Sequence, residues 1–321
     1  MPRLRARCFT HGWWNRSLIV NAIFAFFDRS ALNIPQLVKA IVYSLLIINF
    51  VLYIRDDWVI AAHTMRNGGT LIDWTRAFAT TIDESAWIIL LLLFELETYV
   101  LSDEPLSRAK SLLMHGIRII CYISLAHTLY AYGIYVYELS AVTAIADVTD
   151  LCQLVGRDVS FAVNLVYTEL DAANCKTLST ASRFFYIDPP EYLIVTDGAG
   201  LAIERELAWV DVLEASIWLL IVFAIELTVR LQDRGVAEGS LIRSLSVFKF
   251  ALFSLLWLAI AYWIYRGHWM FAWDEFVWIA GFSAIEMNMA EWRSEIIEQE
   301  EGALSPEQSD PGHKPAGGLG V

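Results

Sequence analysis

Along the chain, long apolar runs alternate with short breaks marked by charge, glycine or proline. Six runs approach the ~20 residues that a hydrocarbon core of about 30 Å demands of a helix. They are Leu37–Ile54, Glu84–Leu101, Ile117–Leu139, Val210–Leu231, Phe248–Tyr265 and Phe271–Ala290, the last interrupted by Asp274, Glu275 and Glu286. An earlier run, Ser17 to Phe27, ends after eleven residues at Asp28. It is too short to span, and beside Trp13 and Trp14 it reads as an amphipathic segment lying in the interface. No small-residue cleavage site follows it, so no cleavable signal peptide is expected.

Composition agrees with the pattern. Hydrophobic residues make up 57% of the 321 and charged residues 18%, against about 45–50% and about 25% in soluble domains. The predicted fold class is therefore all-α: a polytopic membrane protein whose principal partner is the lipid bilayer. Lys and Arg collect in the N-terminal segment, in the loop after the second run and in the loop after the fourth. The excess of positive charge on one side places both termini in the cytoplasm and the protein in the plasma membrane, the inner membrane in a bacterium. Residues 1–36 form a basic interfacial segment, 37–139 three spans, 140–209 an extracytoplasmic cap, and 210–290 three further spans. Residues 291–321 form an acidic tail, disordered from about 302, where Gly, Pro, Ser and acid leave too little apolar surface to fold. The net charge of −13 owes much to that tail, and no basic patch suggests nucleic acid.

The cap holds Cys152 and Cys175, its two cysteines, which either pair in an oxidising compartment or remain thiols. Turns are expected at Asp188-Pro189-Pro190 and at Asp197-Gly198-Ala199-Gly200.

A spacing recurs in the second, fourth and sixth runs. Trp87/Glu95, Trp218/Glu226 and Trp278/Glu286 are each separated by seven residues, with an acid four before each Trp (Asp83, Glu214, Asp274) and an aromatic nine before it (Phe78, Trp209, Trp269). The first and fifth runs share Lys39 and Lys249, each followed after four residues by Ser-Leu-Leu. Three tandem two-helix hairpins follow as the expected repeat, with functional groups where the copies meet.

At 1.5 Å per residue each Glu of this spacing lies about 12 Å along the helix from its Trp. A carboxylate at that depth faces the bundle interior or a wet cavity, and pairs or protonates. Glu84 and Glu95, like Glu275 and Glu286, are eleven apart and share a helix face to within about 20°. Two readings stand. In one, Glu95, Glu226, Glu286 and Glu97 form an inner ion or proton pathway fed by an outer acidic set of Asp83, Glu84, Glu214, Asp274 and Glu275. In the other the acids are structural: Arg230 pairs with Glu226 at i,i+4, and Lys39 or Lys249 with a neighbouring glutamate. The first reading is a cation- or proton-coupled transporter or channel component. The second is a scaffold or accessory subunit joined to a membrane partner or to further copies of itself.

The stretch Phe223 to Leu231, FAIELTVRL, resembles the second helix of voltage-sensing domains. That resemblance implies a Phe223–Glu226 pair able to serve a cation, with Arg230 as the following basic position. No helix carries arginine at every third residue, so a voltage sensor is not expected. HExxH, GxSxG, P-loop and CxxC motifs are absent, which argues against an enzyme of those classes. No metal or cofactor is expected, and His127 reads as a satisfied or water-facing residue.

Overall fold

A computed structural model of the chain describes residues 34–96, 108–189, 191–232, 234 and 239–283. Contact grouping separates residues 1–43 from 44–321. Of the first unit, the opening turns of helix α1 are described.

The helices are α1 (Ile34–Thr64), α2 (Leu71–Ala77), α3 (Ala79–Glu95), α4 (Arg108–Ser140), the short α5 (Cys175–Leu178), α6 (Gly198–Gln232), α7 (Ser240–Arg266) and α8 (269–283). Among the described residues, α4, α6 and α7 are long and apolar enough to cross a membrane. Taken together, α2 and α3, bent by 72° at their junction, make a fourth. In α4, α6 and α7, 22–28% of the most apolar stretch is buried. Ile119, Ile120, Ile123, Phe250 and Leu258 all stand exposed, a surface that fits a lipid solvent and not water. The predicted span 37–54 lies within α1, and the predicted span 271–290 is described as helix to residue 283.

The all-α expectation is corrected by a four-stranded sheet inside the predicted cap. Strands β1 (Ser160–Val163), β2 (Val166–Glu169), β3 (Phe184–Tyr186) and β4 (Ile194–Asp197) lie in the order β2-β1-β4-β3. The β1–β4 pair is parallel; the two outer pairs are antiparallel. Alternation divides the sheet into two faces. Phe161, Phe184 and Val195 join Leu151, Leu154 and Cys175 in one core. Ala162 and Ile194 join Leu139 of α4 and Leu201 and Ala208 of α6 in another. Cys152 and Cys175 form a disulfide under the first face, their Cα atoms 5.0 Å apart.

Helix starts also differ from expectation for local reasons. Asp197 does not mark a loop. Its Oδ1 accepts the backbone N–H groups of Ala199 (3.0 Å) and Gly200 (2.8 Å), so it caps α6 directly after β4. That helix begins twelve residues before its predicted start. A Cβ at Gly200 would collide with Thr196 Oγ1, which explains the glycine there. Residues 55–83, which join the first two predicted spans and would form an outer loop, are largely helical. Helix α1 runs on to Thr64, and Thr70 and Asp73 open α2 with a capping box. Helix α3 has no side-chain cap from the residue preceding it. Instead Asp57 of α1 accepts Thr81 N (2.9 Å) and Thr81 Oγ1 (2.7 Å), satisfying a first-turn donor from another helix.

The β1–β2 hairpin turns through Asn164 (φ 55°) and Leu165 (φ 60°), the two positive φ values of a type I′ turn. Leucine seldom adopts that region. The turn is pinned from both sides: Asn164 Nδ2 donates to Arg266 O (3.0 Å) and Leu165 N to Glu204 Oε1 (3.1 Å).

Candidate functional site

Below this hairpin lies a cavity of about 700 Å³ bounded by α1, α3, α4, α6, α8 and the α7–α8 junction. Eight carboxylates line it: Asp56, Asp57, Asp83, Glu84, Asp211, Glu214, Asp274 and Glu275. Among the described residues no lysine or arginine does. The other polar and aromatic walls include Tyr53, Tyr132, Tyr167, Trp263, His268 and Trp269.

The acids are held by donors from other elements. Trp218 Nε1 donates to both oxygens of Glu275 (3.1 Å), Trp278 Nε1 to both oxygens of Glu84 (3.3 Å) and Trp263 Nε1 to Glu214 Oε1 (2.7 Å). Trp87 Nε1 donates to Asp83 one turn earlier on the same helix (3.0 Å). Asp274 accepts from Asn49 Nδ2 (2.7 Å) and from the Tyr53 hydroxyl (3.1 Å). An indole N–H bonded to a carboxylate offsets part of its dehydration. It supplies no positive charge, so the acids remain uncompensated unless they share protons or attract a cation.

Trp87, Trp218 and Trp278 come together from three helices. Trp87 lies 5.9 Å from Trp218 and 6.1 Å from Trp278 between ring centroids, and all three rings lie against Phe282. Their acid partners are unequal, since one indole bonds within its own helix and two bond across.

Nearby cations are engaged elsewhere. Arg66 pairs with Asp158 (2.8 Å), Arg76 with Glu138 (2.7 Å) and Arg266 with Glu206. Outside the helical spans, burial pushes the Tyr167 phenol up, helped by the charge of Glu204. Burial, with Arg266 nearby, holds the His268 imidazole below its usual range. Among the described residues no group of three or more His, Cys, Asp or Glu is arranged to hold a metal ion.

The five acids expected as an outer set, Asp83, Glu84, Glu214, Asp274 and Glu275, all line this one cavity. Of the inner set, Glu226 is the member whose side chain is described, and it does not line the cavity. Glu226 bonds Arg230 (2.9 Å) on its own helix and accepts from the Tyr122 hydroxyl (3.3 Å). Phe223, its companion in the voltage-sensor-like stretch, is 65% exposed. Glu97 and Glu286 lie outside the described residues, as does the side chain of Glu95. Lys249 is buried within α7, and Lys39 belongs to the first unit.

No protein-family model, curated protein or solved structure matches the chain.

Residues that sequence reasoning missed are Asn49, Tyr53, Asp57, Tyr132, Tyr167, Asp211 and His268. A signal existed for four of them. Asn49, Tyr53 and Asp57 recur every four residues and make one polar stripe on an apolar helix. Asp211 stands one turn before Glu214.

Proposed function

We propose that the chain is an integral membrane protein that binds a cation or proton within its helical bundle and passes it across the bilayer, as a transporter or channel component. The observation that supports this best is the cavity lined, among the described residues, by eight carboxylates and no lysine or arginine. Its helical walls otherwise present apolar surface outward. Asp83, Glu84, Glu214, Asp274 and Glu275 would receive the cation from the side of the sheet, taken as extracytoplasmic, with both termini cytoplasmic. Glu95, Glu97, Glu226 and Glu286 would continue the route inward. Six spans in three tandem hairpins complete this proposal, which draws on the Trp-to-Glu spacing.

Reconstitution tests it. Proteoliposomes containing the parent chain should pass protons or take up a member of a panel of inorganic and organic cations. Glu275→Gln and Glu84→Gln should each cut that flux at least about tenfold, the scale of one lost charge-assisted contact, with membrane expression unchanged. No flux in the parent, together with misfolding of both variants, would sink the proposal.

A second reading has its own support. The Trp278–Glu84 and Trp218–Glu275 bonds cross between helices, and Glu226 is paired with Arg230. In a scaffold or accessory subunit such contacts would fix helix register and move nothing.

A further inference from the structure

Resting on the cation-binding reading of the cavity, we infer that its ligand is an organic polycation: a linear di- or polyamine, held by ammonium–carboxylate bonds with its methylene stem against aromatic rings. Size separates this from an inorganic ion. A volume of about 700 Å³ lies within the range of roughly 300–1,000 Å³ typical of small-molecule pockets. A dehydrated metal ion would fill a small fraction of it, and no metal-ligand group is present among the described residues.

The walls define the class. Trp87, Trp218, Trp263, Trp269 and Trp278 line the cavity together with its acids. Indole is the strongest aromatic partner for an ammonium group, and that attraction grows where water is excluded. Neither an anion nor a neutral sugar calls for eight carboxylates without a cation among them. A single positive charge would leave most of those acids uncompensated, whereas several ammonium groups on a flexible apolar stem answer both features of the wall.

Asp211 is the independent pointer. It lines the cavity on α6, one turn from Glu214, and makes no hydrogen bond to a described residue. Asp57, Asp83, Glu84, Glu214, Asp274 and Glu275 are committed to indole, phenol, amide or threonine donors; Asp211, like Asp56 on α1, keeps its accepting capacity among the described residues. An ammonium group is the complement it lacks. Because no bond to a described residue depends on it, Asp211 can be changed without dismantling those helix contacts.

The experiment uses the detergent-solubilised full chain, with tryptophan fluorescence and calorimetric titration as readouts. Spermidine and putrescine are compared with potassium, magnesium and neutral 1,6-hexanediol at equal ionic strength. Spermidine should saturate at least about tenfold more tightly than either inorganic ion, and hexanediol should not bind. Asp211→Asn should weaken spermidine about tenfold or more, the scale of one ammonium–carboxylate bond, with an unchanged melting midpoint in the absence of ligand. If potassium or magnesium matches spermidine, the polyamine inference is overturned while cation binding survives. If no cation binds between pH 5 and 8, both fall. Unaltered spermidine affinity in Asp211→Asn also overturns the inference. Should that variant unfold, the comparison among ligands on the parent chain decides alone.

Discussion

The indole Nε1 of Trp218 donates to both carboxylate oxygens of Glu275, on a different helix, at 3.1 Å, and both side chains are buried. The two residues are 57 apart in sequence, so the bond closes α6 onto α8. Trp218→Phe keeps an aromatic ring and removes the donor. A buried carboxylate short of one partner costs about 1–3 kcal/mol. Thermal unfolding in detergent should show that loss, and adding Glu275→Gln should recover part of it because the two changes are coupled. Strict additivity would mean that the bond contributes nothing.

Glu226 should behave differently from the cavity acids. Its pair with Arg230 is one helical turn long, with side chains 33% and 67% exposed. Pairs of that kind contribute at most about 0.5 kcal/mol. Glu226→Gln is therefore expected to leave stability nearly unchanged and cavity ligand binding unaltered, while Glu84→Gln weakens binding. Titration of both variants side by side checks this, and equal losses would argue against the outer cavity as the binding site.

The disulfide ties residues 23 apart in sequence. Closing a loop of that length in the unfolded chain corresponds to about 3 kcal/mol. Cys152→Ala with Cys175→Ala should destabilise the sheet by that order. Hydrogen exchange would locate the change: amides of β1 and β4 should lose protection, and those in the middle of α7 should not.

Acidity should stabilise the sheet through Asp188. Burial pushes its carboxyl up from 3.8 to about 6, although backbone N–H groups of Ile194 and Leu193 pull it down. The folded state then binds its proton more tightly than the unfolded chain. Stability consequently falls as pH rises from about 4 to about 6 and levels off above that. The full change attributable to this group is of order 3 kcal/mol. Denaturation at pH 5 and pH 7, with Asp188→Asn as control, reads it: the variant should lose this component of the pH dependence.

Much of the site was legible along the chain. Asp83, Glu214 and Asp274 announced themselves by a fixed distance to a tryptophan, and Glu84 and Glu275 by lying beside them. The Glu226–Arg230 pair follows from i,i+4 spacing alone. The sheet was not legible because its strands are three or four residues long, too short for period-two alternation to stand out. Asp197 looked like a turn residue because N-caps and turns favour the same side chains.

Sequence by itself determined which helices are suited to a membrane and which acids they carry. Apolar runs of membrane length and scarce charge mark candidate spans, and acids placed within those runs require compensation. Tertiary structure decided which acids share a space and which donors meet them. Trp278 reaches Glu84 across 194 residues, and Asp57, read as part of an outer loop, caps α3 and lines the cavity. The physical reason is range. Helical period, capping and i,i+4 pairing act over a few residues, whereas the cavity arises where distant helices cross, and no local pattern encodes that crossing.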